Sequence, residues 1–98
     1  MTISINIKKE FSGDYITRVA GERLRNIILD AVARGEVVEL DFTGAVVAST
    51  SFFDEGFAKL ADFEWDKEKF RSSILIVGMN LRDEKLMREI CAGRGIEL

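Results

Sequence analysis

An α/β fold, with a small mixed and mainly parallel sheet of three to four strands and three helices, is predicted by three features of the chain. Two stretches alternate in the manner of half-buried strands, TISINIK at residues 2–8 and EVVELDFT at 36–43, and a third, ILIV at 74–77, is an uninterrupted apolar run. Between them the apolar residues recur at helical spacing. Helical crossovers of this length join strands that run parallel. The 98 residues suffice for one core, so a single domain over residues 1–98 is expected.

In TISINIK the side chains of Ile3, Ile5 and Ile7 alternate with Ser4, Asn6 and Lys8, which suits an edge strand with one buried face. Ser12-Gly13-Asp14 supplies turn chemistry, and Tyr15-Ile16 is read as a short return strand before Thr17 caps a helix. Ala20, Leu24, Ile27, Ile28 and Ala31 form one face of that helix, and Gly35 stands just past its end. In the next strand Val38, Leu40 and Phe42 share one face, while Val37, Glu39 and Asp41 point to a second, partly covered side.

Phe53, Phe57, Leu60 and Ala61 then repeat at helical spacing, with Trp65 near the end and a charged WDKEK loop beyond. The run from Ile74 to Val77 predicts a strand buried on both faces, hence the central one. Asn80 is placed to cap the last helix, Asp83 and Glu84 sit in its first turn where the dipole favours acids, and Leu86, Met87 and Ile90 make its inner face.

Composition narrows the function. The chain has no histidine, which removes the usual general base and the commonest metal ligand, and it shows no phosphate-binding glycine loop; a catalytic site, a metal and a cofactor are therefore not expected. Its formal charge is −3, and six of the eight charged residues between Asp54 and Glu68 are acidic, so no basic stripe offers itself to nucleic acid. No apolar run reaches the length of a membrane span and the first residues do not resemble a signal peptide; a cytoplasmic domain is expected. The lone Cys91 is read as inert packing. Asp41, near the carboxyl end of its strand, is expected to hold loop amides, and Arg18, Arg23 and Arg25 to lie on a solvated face.

The segment that resists a purely structural reading is Ser49-Thr50-Ser51, three hydroxyls between a strand and a helix. With Ser51 as N-cap, its oxygen accepts from the amide of Asp54, Asp54 reaches back, and the hydroxyl of Thr50 is left free outside the helix. A phosphate on Thr50 would lie near the positive end of the dipole, though Asp54 and Glu55 in the first turn would repel it. The three residues either only pack and cap, or offer a phosphoacceptor, with Thr50 first and Ser49 or Ser51 behind it. Phe52, Gly56, Lys59 and Phe63 fall on one stripe beside the core face. That stripe, with Asp54 and Glu55, either widens the core or forms a flat ledge for a protein partner.

The stretch from Val37 to Leu60 resembles the central segment of STAS domains, the fold of anti-sigma factor antagonists and of the cytosolic tails of sulfate transporters. There a strand of the form Leu-Asp-Leu-Ser-Gly leads to an Asp-Ser-Ser-Gly-Leu-Gly turn that opens a helix. Leu40-Asp41-Phe42-Thr43-Gly44 matches the strand. Ser49 stands at the family's Asp, Thr50 at its phosphorylated Ser and Ser51 at the next Ser, while Phe52 and Asp54 replace the glycines. The chain looks most like the divergent STAS-like group. The resemblance implies a non-enzymatic regulatory module whose partner is an ATP-dependent serine kinase of the anti-sigma type, switched by phosphate on Thr50. Two other classes stay open: a small-ligand or nucleotide-binding α/β domain, and an oligomeric structural subunit. The last could pair through the edge strand at Thr2–Lys8, which Lys8 and Lys9 disfavour; the chain is expected to be a monomer or a weak dimer.

Overall fold

The computed structural model describes all 98 residues and shows an α/β fold with three parallel strands, five α-helices and one 3-10 segment. In chain order these are β1 (Thr2–Asn6), α1 (Ile7–Glu10), α2 (Arg18–Ala33), β2 (Val37–Asp41), α3 (Thr50–Gly56), a 3-10 segment (Ala58–Phe63), α4 (Lys67–Ser73), β3 (Ile74–Val77) and α5 (Leu81–Ala92). No helix is long and apolar enough to cross a membrane.

The sheet order is β1, β2, β3, so β2 is central and β3 is an edge, a correction to the expected place of the ILIV run. The register explains why. Ile3 and Ile5 align with Val38 and Leu40, and these with Ile74 and Ile76, giving one continuous apolar face. On the other face Ser4, Glu39 and Leu75 fall in one row, and Leu75 is 49% exposed. Ser4 donates to Glu39 at 2.9 Å on this open side.

The apolar face is covered by helices whose aromatic side chains meet in a chain of contacts. Phe52 and Phe53, Phe53 and Phe57, and Phe57 and Phe70 pair at 6.1, 6.1 and 5.6 Å between ring centres. Such pairs contribute roughly 0.5–1.5 kcal/mol each beyond the area they bury.

Three local expectations are corrected. β1 stops at Asn6, whose side chain accepts from the amide of Lys9 and caps α1, so that Ile7 is buried as a helical residue. Tyr15 and Ile16 form no strand. The WDKEK stretch is not a loop: Asp66 caps α4, accepting from the amide of Lys69 at 2.8 Å. The other caps fall as expected, Thr17 on α2 and Asn80 on α5, with Gly35 at φ 78° past the end of α2.

Candidate functional site

Parallel strands joined by helical crossovers bring the starts of α2, α3 and α5 to one end of the sheet, beyond the strand carboxyl ends. Three short polar side chains, Thr17, Ser49 and Asn80, cap these helices. The segment from Phe42 to Ser49 crosses this end. It turns first at Gly44, φ 75°, where the Asp41 carboxylate accepts the amide of Thr43 at 2.9 Å. The Thr43 hydroxyl and then its amide hold that carboxyl below its ordinary range, so Asp41 keeps the loop-holding role expected of it.

The second turn is held from a distance. Asp83, buried in α5, accepts the amides of Val47 and Ala48, each at 2.8 Å, and the side-chain amide of Asn80 at 2.9 Å. Ala48 is thereby kept at φ 47°, a left-handed conformation costly for a residue with a Cβ. Asp83 is thus a tether for the 42–49 segment, well beyond a helix-dipole residue.

Ser49, and not Ser51, is the N-cap of α3, which corrects the expected capping by two residues. Its oxygen accepts from the amide of Phe52 at 3.1 Å and its hydroxyl donates to the carbonyl of Ile16 at 2.5 Å. Both capacities of Ser49 are used by the fold. Thr50 begins α3, is exposed, and its hydroxyl has no hydrogen-bond partner. Ser51 is half-buried in the first turn.

Of the two readings of the α3 stripe, the widened core holds at Phe52 and Gly56 and the ledge does not. Phe52 is wholly buried, packed edge-on against Phe11 at 6.0 Å, and Gly56 is buried too. The physical reason is Gly21 on α2. A Cβ there would stand 2.8 Å from both the Glu55 Cβ and the Phe52 carbonyl, so its absence lets α2 settle onto the very stripe that would otherwise face water. Phe63 alone of that set is outward, 50% exposed, with the Arg25 guanidinium 5.8 Å from its ring centre.

Asp54, Glu55 and Lys59 belong to an ion-pair network. Asp54 takes Arg94 at 2.6 Å and Arg18 at 3.1 Å; Glu55 takes Lys59 at 2.5 Å, Arg25 at 2.9 Å and Arg18 at 3.1 Å. Arg94, then Arg18, holds the Asp54 carboxyl below its ordinary range; Lys59, then Arg25 and Arg18, does the same for Glu55. Arg25 is mostly buried, which corrects the expectation of a solvated face at that position, whereas Arg18 is exposed as expected while engaging both carboxylates. Arg23 instead pairs with Glu10 and lies over Phe11, 4.7 Å from the ring centre. The repulsion that Asp54 and Glu55 would exert on a phosphate at Thr50 is therefore offset by four cations.

Three exposed apolar side chains at this end of the sheet were not anticipated. Ile16, beside Ser49, is 50% exposed, Val46 is 68% exposed and Leu81 is 82% exposed. Val46, Ala48 and Leu81 line one shallow groove with Asn80 and Arg82. The available signal was the Val46-Val47 pair inside a loop, where only Val47 turns in, and an apolar residue placed directly after the cap Asn80.

The chain belongs to the family described as STAS-like domain of unknown function (DUF4325), whose model matches residues 20–84. That span holds all but the first two residues of α2, then β2, the hydroxyl segment, β3 and the tether Asp83. No curated protein and no solved structure matches the chain.

Proposed function

We propose that this chain is a non-enzymatic regulatory module that binds a protein partner across the end of the sheet where α2, α3 and α5 begin, and that phosphate on Thr50 weakens the complex. One observation carries the reading: the Thr50 hydroxyl is exposed and unused by the fold, while Ser49 beside it is held on both sides. The apolar side chains of Ile16, Val46 and Leu81 are exposed at the same end of the sheet. Apolar residues left in water at the same end of the sheet as one modifiable hydroxyl are the composition of a contact surface that a charge can turn off.

A phosphate would add about −1.5 to −2 charges inside a contact otherwise built on burial, and its desolvation opposes binding. The likeness to anti-sigma factor antagonists supports an ATP-dependent serine kinase of the anti-sigma type as both the partner and the source of the phosphate. The expected ledge at Phe52, Asp54, Glu55, Gly56, Lys59 and Phe63 is replaced by this end of the sheet.

The test compares partner capture from the native lysate by the tagged wild type, Thr50→Ala, Thr50→Asp and Leu81→Lys. The reading predicts retention by Thr50→Ala and loss by Thr50→Asp and Leu81→Lys. Equal capture by all four forms removes both the switch and the surface.

A further inference from the structure

Arg18 stands where two helices begin. It is the first residue of α2, and two residues before it the Ile16 carbonyl accepts the Ser49 hydroxyl at 2.5 Å, which fastens the start of α2 to the start of α3. Thr50, the first residue of α3, follows that junction directly. The root of the Arg18 side chain and the free hydroxyl thus belong to one junction.

The guanidinium of Arg18 reaches one helical turn along α3, to Asp54 and Glu55. Thr50 and Asp54 are four residues apart on that helix, which puts their Cβ atoms about 5–6 Å from one another. Helical side chains lean toward the N-terminus, so the Asp54 carboxylate and the cations it holds lean toward Thr50.

Of the four cations in this network Arg18 is the one that can be spared. It alone bridges the two acids, through a single nitrogen, Nη1, at 3.1 Å from each, and its side chain is 56% exposed. Without it Asp54 keeps two bonds from Arg94, at 2.6 and 3.0 Å, and Glu55 keeps Lys59 and Arg25. Its departure strands no buried charge.

We propose that Arg18 is the chain's own receiver for a phosphate on Thr50, its guanidinium leaving Asp54 and Glu55 to pair with the phosphate. The inference rests on the reading of Thr50 as a phosphoacceptor and adds where the new charge is held. A phosphate brings about −1.5 to −2 charges and three acceptor oxygens, and takes a guanidinium through two parallel N–H···O bonds. Arg18 exchanges one shared nitrogen for a two-pronged contact with a stronger acceptor. Two carboxylates oppose the phosphate: Asp54, which Arg94 keeps neutralised, and Asp14, which accepts the Thr17 hydroxyl at 3.3 Å just before α2. A partner arriving at this end of the modified chain meets a fixed ion pair where the unmodified chain presents a small hydroxyl.

The test is a double-mutant cycle on the full chain, with phosphothreonine installed at residue 50 by synthesis. Because no cellular kinase is involved, the result bears on Arg18 alone; phosphorylation of Thr50 in the cell is read separately. Unmodified and phosphorylated forms of the wild type, Arg18→Gln and Arg94→Gln are compared by urea unfolding, and the Arg18 Nε–H resonance is followed by NMR. The phosphate should be about three- to tenfold better tolerated, in the unfolding equilibrium constant, with Arg18 than in Arg18→Gln. The Arg18 resonance should move on phosphorylation, and Arg94→Gln should leave the coupling in place. A phosphate effect equal with and without Arg18, an unmoved Arg18 resonance, or a coupling lost in Arg94→Gln overturns the proposal.

Discussion

Asp83 holds Ala48 in a left-handed turn: the carboxylate on α5 accepts the Ala48 amide at 2.8 Å while the backbone of Ala48 stays at φ 47°. This contact spans 35 residues and sets the point from which α3 starts. Removing it by Asp83→Ala leaves two amides of the 42–49 segment without partners and should cost about 2–4 kcal/mol. Ala48→Gly relieves the strained backbone and should add up to about 1 kcal/mol, less what glycine loses in the unfolded chain. Urea midpoints of the two variants check both signs.

The two glycines at the α2 and α3 contact should respond differently to a methyl group. In Gly21→Ala the new carbon meets backbone and Cβ atoms at 2.8 Å, which cannot swing aside, and a loss of roughly 2–3 kcal/mol is expected. In Gly56→Ala the nearest atom is the Leu24 Cδ2 at 3.1 Å, the end of a side chain that can turn. Helix propensity returns up to about 1 kcal/mol there, so the net change should stay within about 1 kcal/mol. Thermal unfolding of the pair distinguishes the cases.

The ion-pair network makes a statement about pH. Asp54 and Glu55 both have carboxyls held below their ordinary values of 3.8 and 4.5. A lowered folded-state value means that their contribution is complete above the ordinary range and is lost as pH falls below it. Glu55→Gln, which removes the charge partner of the mostly buried Arg25 and leaves it the Glu55 carbonyl, should cost about 1–3 kcal/mol at neutral pH. The gap between variant and wild type should narrow as pH drops below about 4. Urea melts across that range measure it.

Cys91 is wholly buried, and burial pushes its thiol up to about 12. The thiolate is the reactive form, so alkylation at neutral pH should be negligible in the native state and rapid in urea. Intact mass after a timed iodoacetamide pulse reads this directly.

Much of the fold could be read from the chain because it is written in local chemistry. Thr17 and Asn80 cap where a short polar side chain precedes an apolar repeat, and Gly35 ends α2 where a left-handed residue is required. The errors share one cause, that burial is decided by distant partners. Ile7 continues a period-two pattern but begins a helix, since i and i+2 positions do not by themselves separate the two. α4 has Phe70 as its one large buried side chain, too few for a helical repeat to show. The ILIV run reads as central although Leu75 faces water.

That the Thr50 hydroxyl stays free at a helix start was legible in the sequence, but its surroundings were not. Choosing Ser49 over Ser51 as cap depends on the Ile16 carbonyl, which lies 33 residues away. The burial of Phe52 and Gly56 depends on Gly21, a residue whose role is to have no side chain. The exposed apolar residues at this end are Ile16, Val46 and Leu81, of which Val46 and Leu81 come to share one groove only in the folded chain.

Phosphorylation mapping, by fragmentation mass spectrometry of the chain recovered from its own cells, free and bound to its captured partner, tests the central claim most directly. The account predicts phosphate on Thr50 in the free pool, its absence from the bound pool, and an unmodified Ser49 in both. A Thr50 carrying no phosphate in either pool, or one equally phosphorylated in both, would contradict it.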